Sequence, residues 1–201
     1  MPGEIFVVSA PSGTGKTTLL KALMATDSRL RFSISYTTRP PRPGEVPGQD
    51  YFFISPEEFS RLRDCGSLVE WVEQFGYGYG TSREWILKIL AEGRDLVFDI
   101  DTRGARALKE SFPQGTFIFL LPPTLKELER RLRGRGDMEP EEFARRLEQG
   151  RAEVKEIRWY DYLVINAEIP RALEQLRAIV VAARCRASRV WPRLEPLFFP
   201  G

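Results

Sequence analysis

The chain contains no histidine. That absence excludes Ser-His and Cys-His nucleophile pairs and imidazole-ligated metals, leaving carboxylates, lysine and arginine as the chemical inventory. Cysteine is scarce: Cys65 and Cys185 stand far apart without metal-ligand spacing. No secretory signal precedes them, so reduced thiols and a cytoplasmic location are expected, with a single disulfide as the alternative. No apolar run approaches the ~20 residues of a membrane span, so no membrane partner is expected. An excess of one charge is also lacking. The formal net charge is only +2, which leaves no global electrostatic footprint for nucleic acid and makes any basic chemistry local. A 42% hydrophobic and 29% charged composition over 201 residues is that of a globular chain and excludes wholesale disorder.

What is present begins near the N-terminus. Ile5-Phe6-Val7-Val8 leads into Ala10-Pro11-Ser12-Gly13-Thr14-Gly15-Lys16-Thr17, and Thr18 with Leu19-Leu20-Lys21-Ala22-Leu23 continues as a helix. Strand, glycine-rich turn and helix together predict a phosphate-binding loop. Gly13 and Gly15 take backbone angles closed to other residues, so successive N–H groups turn inward around a polyphosphate. Lys16 meets the β- and γ-phosphates and the Thr17 hydroxyl serves Mg²⁺. Ala10 stands where the full pattern has its first glycine.

Alternating strand-like and helix-like segments predict an α/β fold, a parallel sheet covered by helices. Strands are expected at Arg31–Ser35, Tyr51–Ile54, Leu68–Phe75, Leu96–Asp101, Thr116–Leu121 and Tyr162–Ile165. Ser55-Pro56-Glu57-Glu58 opens a helix with an N-cap, a first-turn Pro and a capping-box Glu. Thr81 or Ser82 caps the next. A charged helical stretch runs from Thr124 to Ile157, broken at Gly134–Asp137, and a last helix spans Arg171–Ser188. Residues 36–81 read as a mostly antiparallel insertion in a core of 1–35 and 82–201, with a lid at about 134–150.

Four constellations carry chemistry. Arg39 and Arg42, among Pro40, Pro41 and Pro43, suit bidentate capture of a small phosphate dianion, or form a solvated Pro-rich turn. Tyr51 either adds its hydroxyl to that phosphate or joins Phe52 and Phe53 in the core. Alternation puts Val69, Trp71 and Phe75 on one strand face and Glu70 on the other. A buried Glu70 selects guanine, whose N1–H and exocyclic amine form an adjacent donor pair that adenine lacks; the alternative is an exposed strand carboxylate. Asp99 and Asp101 close an apolar strand, where carboxylates hold Mg²⁺ through water beside nucleotide phosphates. Arg130, Arg131, Arg133, Arg135, Arg145 and Arg146 surround the Gly-Arg-Gly break; most are expected on a solvated helix face, with Arg135 and Arg146 as first choices to neutralise a transferring phosphoryl group.

Taken together, these motifs resemble the guanylate kinase family over roughly residues 4–188. Ser9–Thr17, Ser35–Glu45, Asp50–Phe53, Glu70-Trp71, Tyr79–Arg83, Asp99–Asp101 and Arg131–Gly136 match in order. The resemblance implies transfer of the ATP γ-phosphoryl to GMP, and to dGMP, with Mg²⁺ bound to ATP. It implies that Ser12, Gly13, Thr14, Gly15, Lys16, Thr17 and Thr18 bind the ATP phosphates and that Asn166 lies on the adenine side. Arg39, Arg42, Tyr51 and Tyr79 then hold the GMP phosphate, while Ser35, Glu70, Thr81 and Asp101 read guanine. Lys16, Arg135 and Arg146 are the implied catalytic residues, and Thr17 and Asp99 the metal residues. The insertion becomes a GMP-binding domain. ATP and GMP are the expected partners, with no nucleic acid or membrane, and the oligomeric state stays open. The competing expectation is an inactive protein-binding module of the same fold. The apolar tail 190–201 has no counterpart in the resemblance.

Overall fold

The structure is a computed structural model describing residues 2–74, 76–134 and 139–199. In chain order its elements are β1 Ile5–Ser9, α1 Lys16–Thr26, β2 Leu30–Phe32, β3 Tyr36–Thr37, β4 Phe52–Phe53 and α2 Pro56–Asp64. There follow β5 Leu68–Gln74, β6 Tyr77–Ser82, α3 Arg83–Ala91, β7 Asp95–Asp99, α4 Thr102–Ser111 and β8 Thr116–Leu121. The chain continues with α5 Leu125–Arg133, α6 Pro140–Lys155, a 3-10 turn at Ile157–Trp159, β9 Tyr162–Ile165, α7 Ile169–Arg184 and α8 Ala187–Phe198. Two compact units arise, residues 1–9 with 28–117 and residues 10–27 with 118–201.

In the first unit β2, β7 and β1 pair in parallel, Ile5 opposite Leu96 and Leu30 opposite Asp95. Phe6, Val7, Val8, Leu96, Val97 and Phe98 are fully buried, each worth about 1.5–3 kcal/mol relative to exposure. Apolar side chains on both faces suit strands covered on both sides, and α3 packs on β7 and α4 on β1. Asp95 is buried at the start of β7 and accepts from the Glu4 N–H at 2.7 Å, fixing the entry to β1.

The same unit carries a second sheet in the order β4-β3-β6-β5. There β3 runs parallel to β4, while β6 is antiparallel to both β3 and β5. Ser55 caps α2, its hydroxyl accepting from Glu58 N–H. The reciprocal half of the capping box does not form, because the Glu58 carboxylate accepts from Arg61 instead. Ser82, rather than Thr81, caps α3.

In the second unit β8 and β9 pair in parallel. α7 packs on β9 and α1, and α5 packs on α6. Parallel strands covered by helices are the α/β class expected from the sequence.

Some boundaries differ from expectation. The second strand ends at Phe32, and Ser33–Ser35 form a connection to β3. The last predicted helix is two, α7 ending at Arg184 and α8 occupying most of the tail with Pro192 and Pro196 inside it. Trp71 is 48% exposed, against its expected place on an apolar face. Val72 is exposed as well, so both faces of β5 are uncovered beyond Glu70; Leu68 opposes Ser82 but Glu70 opposes Thr81, so Val69 is an extra residue and alternation breaks there. Phe75, assigned to the same face, lies outside the described residues.

Candidate functional site

The phosphate loop belongs to the second unit. Gly13 and Gly15 have φ of 92° and 90°, conformations that side chains resist. A Cβ on Gly13 would lie 3.1 Å from Leu132 Cδ2, and one on Gly15 would lie 2.9 Å from Asn166 Nδ2. Both glycines are therefore required by angle and by space. Gly15 is the N-cap of α1, with Lys16 half-buried as its first residue and Thr17 and Thr18 exposed beside it. Unsatisfied amides at a helix N-terminus behind an inward-turned loop form an anion site.

The loop is held from behind. Thr14 is buried, and its carbonyl accepts from Asn166 Nδ2 at 2.8 Å and Arg131 Nη1 at 3.2 Å. Arg146, on α6, donates to Glu142 at 2.9 Å through Nε and lies 3.4 Å from the exposed Ser12 hydroxyl. Gly150, on the same helix, would place a Cβ 3.4 Å from Pro11 and 3.1 Å from Leu128. Arg135 and part of the assigned lid lie outside the described residues.

The residues expected to bind the acceptor belong to the first unit. A cavity of about 400 Å³ is lined by Ser35, Glu70, Tyr79, Asp99 and Asp101, with Trp71, Gln74 and Arg103 among the further walls. A second, of about 240 Å³, is lined by Ser35, Tyr51, Thr81 and Asp99 with Asp50. Bulge and register carry Glu70 here: its Oε1 accepts from the Thr81 hydroxyl at 2.6 Å. Burial pushes the Glu70 carboxyl above its ordinary value; Thr81 pulls it down and the Asp101 charge adds to the rise. A half-buried carboxylate with one oxygen anchored presents an acceptor edge to a planar pair of donors.

Asp101 is not a strand residue, contrary to the alternation expected for it. Strand β7 ends at Asp99, and Asp101 is the N-cap of α4, Oδ1 accepting from Gly104 N–H at 2.8 Å. Its Oδ2 is 3.3 Å from Arg103 Nη2. Residue 101 reaches the cavity through a helix cap, a role that two-residue periodicity does not convey.

Arg39 is only 8% exposed. It donates to both oxygens of Glu45, at 2.7 and 2.9 Å, and to the Pro40 carbonyl at 2.7 Å. Glu45 also accepts from Arg42 N–H at 2.7 Å, and it sits below the usual carboxylate range because of Arg39 first and that N–H second. Arg39 lies over the Tyr51 and Phe53 rings, and Tyr51 meets Tyr79 edge-on at 6.0 Å. Arg42 is exposed. The Pro-rich segment is thus an ordered guanidinium mount, with Glu45 as the counter-ion that sequence spacing does not single out.

Residues 3–183 match the family model described as guanylate kinase. The chain is 45% identical over 196 residues to the guanylate kinase of Geobacter sulfurreducens, covering 98% of this chain and 97% of the relative. It is 48% identical over 199 residues to that of Geobacter metallireducens, covering 99% and 98%. Among solved structures, a guanylate kinase from Anaplasma phagocytophilum superposes with a TM-score of 0.71 at 31% identity, covering 98% of this chain and 96% of that one.

Proposed function

This chain belongs to the guanylate kinase family, and we infer that it is an ATP:GMP phosphotransferase, moving the ATP γ-phosphoryl to the GMP phosphate to give ADP and GDP. dGMP is accepted as well. The observation that carries the reading is the half-buried, Thr81-anchored Glu70 carboxylate on the acceptor cavity, in a chain that also holds an intact phosphate loop.

In the proposed site, Ser35, Glu70, Thr81 and Asp101 read guanine, while Arg39, Arg42, Tyr51 and Tyr79 hold the GMP phosphate. Ser12 to Thr18 cradle the ATP phosphates, and Asn166 borders the adenine side. Residues 36–81 are assigned as the GMP-binding domain, and 1–35 with 82–201 as the core with its lid at about 134–150. Transfer proceeds in line by positioning and charge neutralisation, Lys16, Arg146 and Arg135 supplying positive charge as the phosphoryl group moves. The acceptor phosphate is already an anion near neutral pH, so no general base is required.

Mg²⁺ carried by ATP neutralises charge on the β- and γ-oxygens when bound. The exposed Thr17 hydroxyl in the first turn of α1 and Asp99 are the residues assigned to it. Among the described residues no group of three or more ligating side chains forms a metal cage, and an ion carried on nucleotide oxygens and water needs none. No described helix is long and apolar enough to cross a membrane. The free thiols of Cys65 and Cys185 support a cytoplasmic enzyme.

A non-catalytic binding module makes no use of the phosphate loop described above. The test is a coupled assay with ATP, Mg²⁺ and separate nucleoside monophosphates. GMP is expected far ahead of AMP, CMP and UMP, and absence of GMP turnover overturns the assignment.

A further inference from the structure

Within the arginine-rich run of α5, most guanidiniums pair with glutamates on the exposed face. Arg130 and Arg133 do so at 2.7 and 2.8 Å, with about 70% of each side chain exposed (74% and 67%). Arg131 is different. Only 24% of its side chain is exposed, and it reaches two backbone carbonyls distant in sequence, those of Thr14 at 3.2 Å and Asn166 at 3.0 Å.

We propose that Arg131, held by Glu127, is a positioning residue for the donor loop: with the Asn166 amide it locks the Thr14–Gly15 peptide so that the Gly15 N–H faces the ATP phosphates. The proposal rests on the reading of that loop as the ATP phosphate site. In a planar trans peptide the carbonyl and the following N–H point in opposite directions. Two donors on the Thr14 oxygen, Asn166 Nδ2 at 2.8 Å and Arg131 Nη1, therefore direct the Gly15 N–H to the opposite side, toward the nest.

A lock is needed because glycine makes this peptide easy to rotate. Gly15 sits at φ 90°, and glycine crosses between positive and negative φ with little penalty. The lock is itself braced. Arg131 Nε donates to Glu127 Oε1 at 2.7 Å, one turn back on α5. Arg130 and Arg131 together hold the Glu127 carboxyl down to about 2, so it stays ionised across the working pH range. Leu132 and Leu128, on the same helix, lie at the positions a Gly13 Cβ would crowd, so α5 is registered against the loop by packing as well as by charge. With its charge answered by Glu127, Arg131 acts through geometry.

Steady-state kinetics on the full chain test this, with ATP varied at saturating GMP and the converse. Arg131→Met is expected to raise the KM for ATP about tenfold, the effect of losing one charge-assisted hydrogen bond, while the KM for GMP changes less than about twofold. Glu127→Gln, which touches no nucleotide under this account, is expected to raise the KM for ATP about threefold and carries the test if Arg131→Met does not fold. Inorganic tripolyphosphate, measured by calorimetry, should lose affinity by the same factors, because the lock acts on phosphate and not on the base. Unchanged ATP values in these variants overturn the proposal. So does a loss confined to ATP and absent for tripolyphosphate, which would make Arg131 a base or ribose contact only. If the unaltered chain fails to turn over GMP, the functional reading falls first, and the tripolyphosphate titrations still decide the role of Arg131.

Discussion

Under the proposed function the recognising atoms of the phosphate loop are backbone amides, aimed by Gly13 and Gly15 at positive φ and braced through one carbonyl, that of Thr14. In the acceptor cavities they are side chains: a half-buried carboxylate at Glu70, a helix-capping carboxylate at Asp101, and two tyrosines beside a buried guanidinium. Backbone recognition reads shape and charge and is indifferent to the base attached to the phosphates. Side-chain recognition is where selectivity resides, and it carries a desolvation penalty visible in the raised Glu70 carboxyl. The donor half is thus stabilised by the groups that organise it, whereas the acceptor half holds charge at a cost in stability.

Removing the charge at the centre of the donor half should give the largest effect. Lys16→Ala is expected to cut transfer by about 10³-fold or more without a matching loss of folding stability, read by turnover and thermal melting. Arg39→Met comes next in the acceptor half. It removes the guanidinium and leaves Glu45 with only the Arg42 N–H, so kcat/KM for GMP should fall about 10²-fold while the KM for ATP is unchanged.

The contrast also has a pH signature. In the proposed site guanine is read by ionised Glu70, whose carboxyl is raised by burial. On acidification kcat/KM for GMP should therefore fall above the ordinary carboxylate range, and Thr81→Val should move that limb higher still. A carboxyl raised on folding binds its proton more tightly folded than unfolded, so Glu70 lowers stability near neutrality, and Glu70→Gln should melt no lower than the parent at pH 7. Glu127 has the opposite sign. Its stabilisation is present above its ordinary value and fades as pH falls from there toward about 2, so any melting deficit of Glu127→Gln should be the same at pH 7 as in mild acid and shrink only in stronger acid. The smallest effect belongs where neither mode operates: Phe198, 66% exposed on α8, should tolerate serine within about 0.5 kcal/mol.

The same contrast governs what the sequence made legible. The donor loop is a contiguous run of eight residues, and the strand before it and the helix after it can be read from its immediate neighbours. β8 and β9 fall where their apolar runs place them because nothing local competes. The acceptor half is assembled from distant residues by devices without a local signature. One is a bulge at Val69, which breaks the strand alternation next to Glu70. Another is the capping turn that takes Asp101 out of its strand. The Arg39–Glu45 pair spans six residues of Pro-rich chain, where no periodicity applies. Helix α8 escapes notice because Pro192 and Pro196 are ordinarily helix breakers, yet this exposed helix carries both.

The most direct test of side-chain reading on the acceptor side is kcat/KM for GMP in Glu70→Gln, with ATP kinetics measured in parallel. We expect a fall of at least about tenfold for GMP, a narrowed preference for GMP over AMP, and an unchanged KM for ATP. An unchanged GMP preference would contradict the account, as would an equal loss on the ATP side.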